Sequence, residues 1–217
     1  MHAALAHVDT WIFDLDQTLY PHEANIMSQV EAKMAAFMVR ETGLAPTEAA
    51  VLRDKYLQEH GTTLAGLVAY HNIDPYVFLN EVHDVSLDTL APDPDLNGMI
   101  HALPGRKLVF TNGDERHAIR LLDHMGMADL FHGVFHLEHA EWIPKPALVT
   151  FEKMMAVHAV HPHTAAFFED SPKNLKPAHQ LGMKTILVGP KALDNGDSHV
   201  DFRGPSLKAF LNALEAN

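Results

Sequence analysis

The chain contains no cysteine, which excludes disulfides, thiolate nucleophiles, zinc–thiolate sites and iron–sulfur clusters together. Positive charge is scarce: 16 Lys and Arg stand against 28 Asp and Glu, for a formal net charge of −12. Nucleic acid polymers and anionic membranes are held by clustered Lys and Arg, so neither is an expected partner. Long apolar runs are missing as well. The longest stretch free of Asp, Glu, Lys and Arg, Met154 to Phe168, carries His158, His161, Pro162 and His163 and is too short and polar to span a bilayer. Met1 to Asp9 lacks a basic segment followed by a sustained apolar one, so no secretory signal is expected and a cytoplasmic location is the default.

What is present is an ordinary globular composition, 47% hydrophobic and 20% charged over 217 residues. It suits one domain, or one domain carrying an insertion. The 17 histidines are unusual; no H-E-x-x-H or similar ligand spacing organises them, so they read as solvated surface groups. Four short runs read as strands: Thr10 to Leu15, Lys107 to Thr111, Ala165 to Phe168 and Thr185 to Val188. Their apolar character is continuous rather than alternating, as in a parallel sheet covered on both faces. Helical stripes separate them: Ala118, Leu121, Leu122 and Met125, then Leu148, Phe151, Met155 and His158. Pro146 and Pro172 suit first helical turns, with Ser171 as an N-cap. This alternation makes the fold class α/β, a parallel doubly wound sheet. Residues 21–90 show helical stripes (Met27, Val30, Met34, Phe37, Met38) and no strand. They are too many for one crossover, and read as a helical subdomain inserted into a core built from 1–20 and 91–217. Leu207, Phe210, Leu211 and Leu214 form a last stripe that closes the fold.

The chemistry sits at strand ends. Asp14 and Asp16 follow the first strand, two apart and therefore expected on one side, in the crevice where open α/β sheets bind ligands. Thr111-Asn112-Gly113 follows the second, offering a hydroxyl, an amide and backbone N–H groups ahead of a helix, suited to phosphate. Lys145 lies between two prolines, and Glu169-Asp170 ends the third strand. Each has a plainer reading as a cap, a turn or a solvated charge. Together, up to four carboxylates disfavour their own ionisation unless cations intervene. Lys145 and Mg²⁺, which takes a few carboxylates plus phosphate oxygens, supply that compensation. Oxygen ligands, a lysine and a phosphate cradle point to phosphoryl transfer.

Asp-x-Asp-x-Thr, Thr-Asn, Lys-Pro and the acidic pair, in that order from Asp14 to Asn174, resemble the four motifs of the haloacid dehalogenase superfamily. The resemblance implies a Rossmann-like core with a helical cap after the first motif. It implies Asp14 as the nucleophile forming an aspartyl-phosphate and Asp16 as general acid–base. Thr111 and Asn112 with Lys145 would bind the phosphate, while Asp14, Asp170 and the backbone carbonyl of Asp16 would hold Mg²⁺. Glu169 departs from the common Asp-Asp form and is expected to act behind the metal ligands, as is Asn174. Dehalogenase members lack an acid at the position of Asp16, so its presence favours phosphate ester hydrolysis.

Trp11 to Pro21, Tyr56 to Asn72 and Thr111 to Phe131, notably His117-Ala118-Ile119-Arg120, resemble the pyrimidine 5′-nucleotidase branch. This implies UMP- or CMP-like substrates, small phosphate esters. Among cap residues, Thr62, Thr63 and His71 are the expected substrate contacts, with His60 and Tyr70 offering further polar or aromatic groups. The alternatives are a phosphatase of sugar phosphates, phosphoglycolate or a vitamin phosphate, and a catalytically silent binding protein on the same fold. A receiver domain is disfavoured by motif order. Oligomeric state is left open.

Overall fold

Extended apolar segments between helices have one stable destination, the centre of a sheet covered on both faces. The computed structural model, which describes residues 3–215, realises this as one six-stranded parallel sheet. Its strands are β1 (Thr10–Phe13), β2 (Arg106–Phe110), β3 (Gly133–Phe135), β4 (Ala165–Glu169), β5 (Lys184–Val188) and β6 (Phe202–Gly204), in the order β3-β2-β1-β4-β5-β6. The expected α/β class and the four expected strands are present. β3 and β6 were not expected from sequence: each is three residues long, half-buried at a sheet edge, and has no apolar run to announce it.

Side-chain alternation divides the sheet into two apolar layers. Trp11, Phe13, Val109, Phe168 and Ile186 pack on one face, and Ile12, Leu108, Phe110, Phe167 and Leu187 on the other. The register places Phe13 opposite both Val109 and Phe168, and the Phe13 and Phe168 rings stack with centroids 4.9 Å apart. β1, β2 and β4 therefore end level with one another, delivering their following residues to one place.

Nine α-helices are described. Five of them lie in the long connection between β1 and β2, the first four, α1 (Ile26–Thr42), α2 (Pro46–His60), α3 (Thr63–His71) and α4 (Pro75–Val82), within residues 21–90. There α1 contributes Val30, Phe37 and Met38 to the interior, and Phe37 meets Phe78 of α4 edge-on at 5.0 Å. α3 approaches α2 closely because Gly66 has no side chain: a Cβ there would stand 2.1 Å from Tyr56 Cγ. The core helices are α5 (Pro94–Ala102), α6 (Glu115–His124), α7 (Leu148–His158), α8 (Pro172–Leu181) and α9 (Leu207–Glu215). Asp residues cap many N-termini, as short acceptors on orphan N–H groups do: Asp74 for α4, Asp93 for α5 and Asp114 for α6.

Several local expectations need correction. Pro172 opens α8, but Ser171 makes no side-chain cap. Pro146 precedes α7 rather than entering its first turn. Leu148 is exposed, because the buried face of α7 is built on Thr150, Phe151 and Met154.

Candidate active site

β1 stops at Phe13, so Asp14 and Asp16 stand in the turn beyond it, where strand alternation no longer operates. They nonetheless face one cavity, of about 470 Å³, because the chain turns sharply with Gln17 at φ 61°. Asp14 is held at the sheet edge by its N–H donating to the Phe168 carbonyl at 2.9 Å, which puts it beside Glu169, the last residue of β4. Among the described residues, Asp14, Glu169 and Asp170 each bring a carboxylate oxygen within 4.8 Å of the others.

Lys145 is the buried counter-charge. Its Nζ donates to Asp14 Oδ1 at 2.7 Å, the Phe110 carbonyl at 2.7 Å and Glu169 Oε2 at 2.9 Å. An ammonium has three donors, so all are engaged and none is left for phosphate. In this arrangement what Lys145 presents to the cavity is its charge. Asn112 is likewise occupied: its Oδ1 accepts from the Lys145 N–H at 2.8 Å and its Nδ2 donates to the Lys145 carbonyl at 3.1 Å. The side chain brackets the lysine, leaving the 112–113 backbone to face the cavity. Thr111 lies behind the cavity wall, 2% exposed, with its hydroxyl accepting from the Gly113 N–H at 2.9 Å.

Glu169 has both oxygens engaged, Oε2 by Lys145 and Oε1 by Asn174 Nδ2 at 2.8 Å. It holds the lysine in place through the Oε2 contact. Asp14, Asp170 and the Asp16 backbone remain as an all-oxygen donor set, the kind that suits a hard divalent cation.

The electrostatics agree with the crowding. Burial pushes the Asp14 carboxyl up to about 8, with Glu169 adding to the effect and Lys145 opposing it. Burial likewise lifts Glu169 and Asp170 to about 7. Burial also disfavours the Lys145 charge, but Asp14 and Glu169 outweigh it and hold the ammonium above its ordinary value. Asp16 behaves differently. Burial acts to raise it, yet His117 and the Tyr20 hydroxyl overcome this and hold it at about 2. These environments leave Asp14 largely protonated and Asp16 ionised, the reverse of a ready nucleophile and a ready acid; a divalent cation beside Asp14 and Asp170 would lower the first, and the negative charge of a phosphate beside Asp16 would raise the second.

Helices α1, α2, α3 and α4 all contribute to the roof of the cavity. Thr62 and Thr63 line it as expected, although the Thr62 hydroxyl also caps α3 by accepting from the Ala65 N–H. His71 is not on this wall. Its Nε2 pairs with the Tyr56 hydroxyl at 2.7 Å, and Tyr70 stacks on the same Tyr56 ring, so the two hold α2 and α3 together. Met27 and Met34, members of the helical stripe seen in the sequence, pack against the core and also line the cavity, with Leu57 and Phe78. Arg53 and Lys173 add positive charge at its rim; a single basic residue on a helix carries no sequence signal that would have found either.

A model of haloacid dehalogenase-like hydrolases matches residues 11–188, from the strand before Asp14 to the end of β5. The chain belongs to the haloacid dehalogenase-like hydrolase family. Among curated proteins it is similar to phosphate metabolism protein 8 of Saccharomyces cerevisiae, 30% identical over 193 residues, covering 82% of this chain. The chain spans about three fifths (60%) of that relative's length. A HAD phosphatase from Thermococcus onnurineus superposes with a TM-score of 0.64 at 19% identity, covering 95% of this chain and 98% of its own. A 2-haloacid dehalogenase from Pseudomonas syringae gives 0.62 at 21% identity, covering 96% and 99%. At such identities these solved structures speak to the shared fold. As a haloacid dehalogenase-like hydrolase, the chain places its four motifs around one cavity. Among the described residues no helix is long and apolar enough to cross a membrane.

Proposed function

We propose that this hydrolase is a cytoplasmic, Mg²⁺-dependent phosphomonoesterase that works through an aspartyl-phosphate and acts on pyrimidine nucleoside 5′-monophosphates. The observation that carries the reaction is Asp16, facing the same cavity as Asp14. Halide expulsion requires no proton, whereas an ester oxygen does, so an acid beside the nucleophile serves ester cleavage.

Asp14, Asp170 and the Asp16 carbonyl would hold Mg²⁺, which when bound neutralises carboxylate and phosphate charge. Lys145 holds Asp14 Oδ1, and Oδ2, which accepts a long contact from the Thr18 hydroxyl at 3.4 Å, would be the oxygen that attacks phosphorus. In the first step Asp14 Oδ2 bonds to phosphorus, the phosphorus–ester oxygen bond breaks, and the Asp16 proton passes to the leaving alkoxide. In the second, water attacks the aspartyl-phosphate, its proton passes to Asp16, and the Asp14–phosphorus bond breaks to release inorganic phosphate. The Asn112 backbone N–H would orient a phosphate oxygen ahead of α6, the Gly113 N–H being spent on the Thr111 hydroxyl at 2.9 Å.

The roof supports the substrate reading. Segment 21–90 would act as the cap, and the cavity volume of about 470 Å³ lies within the range of small-molecule sites. Apolar Met27, Met34, Leu57 and Phe78 offer a surface for a flat heterocycle, with Thr62 and Thr63 for its polar edge. The motifs that resemble the pyrimidine 5′-nucleotidase branch point the same way, and the similarity to phosphate metabolism protein 8 fits the coarser reading of a phosphate compound as substrate. The test is phosphate release from UMP, CMP, their deoxy forms, AMP, GMP and sugar phosphates with and without Mg²⁺, with Asp14→Asn as the blank. Turnover concentrated on pyrimidine monophosphates is expected. A sugar-phosphate-centred profile refutes the substrate, and wild-type inactivity on every ester refutes the reaction.

A further inference from the structure

The motif His117-Ala118-Ile119-Arg120 has a place in the site that the mechanism above does not use. His117 lies on α6, its side chain 1% exposed, with Nε2 3.0 Å from Asp16 Oδ1. The Tyr20 hydroxyl donates to that same oxygen at 2.6 Å. No described side chain donates to Oδ2, which lies 3.9 Å from where a Cβ of Gly113 would stand, on the cavity wall. Two donors on one carboxylate oxygen remove its freedom to rotate and leave the other oxygen to exchange a proton with substrate.

His117 is itself held. Its backbone N–H donates to Asp114 Oδ1 at 2.7 Å, and Asp114 Oδ2 pairs with His83 Nδ1 at 2.8 Å. The His83 ring stacks on the His117 ring, with centroids 4.0 Å apart and planes 16° apart. His117 Nδ1 is buried with no hydrogen-bond partner, so the ring is fixed by Nε2 and by this stack. His83 ends α4, and the chain leaving it is gripped by Arg120, which donates to the carbonyls of His83 and Val85. One turn of α6 thus grips both Asp16 and the exit of the helical insertion.

We propose that His117 is a positioning residue for Asp16, and that His83 and Asp114 keep it aligned from the segment leaving α4. The inference rests on the phosphomonoesterase reading, in which Asp16 protonates the leaving oxygen. Its function follows from geometry: a proton must be delivered within hydrogen-bond reach, and misplacement of about 1 Å can cost roughly 10²-fold. Losing His117 should therefore hurt esters that need a proton far more than esters that do not.

The experiment compares kcat/KM for an alkyl ester, UMP, with that for p-nitrophenyl phosphate, whose leaving group departs without protonation. The ratio reports the first chemical step alone. His117→Leu keeps the volume and removes the donor; it should lower kcat/KM on UMP by about 10–100-fold, part of the usual acid–base contribution, and on the aryl ester by only a few-fold. His117→Gln, which restores an N–H, should recover most of the UMP rate. His83→Leu, partly exposed and so tolerant of change, should shift the ratio in the same direction but less. In an Asp16→Asn background His117→Leu should add nothing. Equal losses on both esters, or a further loss in that background, overturn the positioning role. Should Asp16→Asn itself fail to discriminate the two esters, the acid role of Asp16 falls, and this inference with it; wild-type inactivity on both esters would instead refute the phosphomonoesterase reading.

Discussion

Replacing Lys145 by Met tests whether the buried ammonium holds the carboxylate cluster together by charge. Lys145 is 2% exposed, and its three donors satisfy Asp14, Glu169 and the Phe110 carbonyl. Met preserves the length of the stem and removes only the charge and the donors. Leaving buried carboxylates without their partner costs about 3–5 kcal/mol, which for a chain of this size is roughly 6–20 °C in Tm. The sign of the pH effect follows from the partners. Asp14 and Glu169 are raised to about 8 and about 7 in the folded state, so near pH 8 much of their charge is present and the lysine matters most. Near pH 5.5 both are largely protonated when folded, and the loss of the lysine should cost less than half as much. The assay is thermal or urea unfolding of wild type and Lys145→Met at pH 8 and 5.5 in the presence of a chelator. Lys145→Met/Glu169→Gln should recover part of the loss, because both members of one pair are then neutral. Equal destabilisation at the two pH values would refute the charge argument and assign the effect to packing of the stem.

Three further outcomes are expected. Mg²⁺ should raise Tm more at pH 8 than at pH 6, because Asp14 and Asp170, lifted to about 8 and about 7, must lose protons to bind it; an equal or larger shift at pH 6 would contradict the assigned ligands. His139 and His158 are pushed below the ordinary histidine value, first by burial and then by neighbouring positive groups. The unfolded chain therefore binds more protons as pH falls below about 6.5, and their contribution to stability is full above that pH and lost beneath it. His158→Leu should flatten the acid side of the Tm profile, and an unchanged slope would count against this account. Gly66→Ala should destabilise by about 1–3 kcal/mol through overpacking, since its Cβ meets Tyr56 Cγ at 2.1 Å; Tyr56→Leu in the same chain should relieve it, and wild-type stability of the single variant would show that α2 and α3 separate easily.

The central strands and the candidate residues at their ends were legible in the sequence for a local reason. A strand buried on both faces must be apolar throughout, so β1, β2, β4 and β5 announce themselves, and polar residues at their ends stand out against them. The helices of residues 21–90 were equally visible as a long region of 3.6-residue stripes without a strand. Edge strands β3 and β6 were not, because a short strand covered on one side needs no apolar run.

Pairings across the fold belong to tertiary structure. Asp14 meets Glu169 only through the register of β1 on β4, and Lys145 is saturated only because β2 delivers the Phe110 carbonyl between them. Asn112 could be read as a phosphate donor until the loop carrying Lys145 came to rest on it. His71, a candidate contact by composition, was claimed by Tyr56 when α3 packed on α2. His117 bonds Asp16, 101 residues away in sequence, a separation that no local pattern encodes. Composition and periodicity thus determined which residues could be reactive and which segments carry them. Which oxygen faces the cavity, and which donor is already spent, was decided by contacts formed only when distant segments share one low-dielectric space.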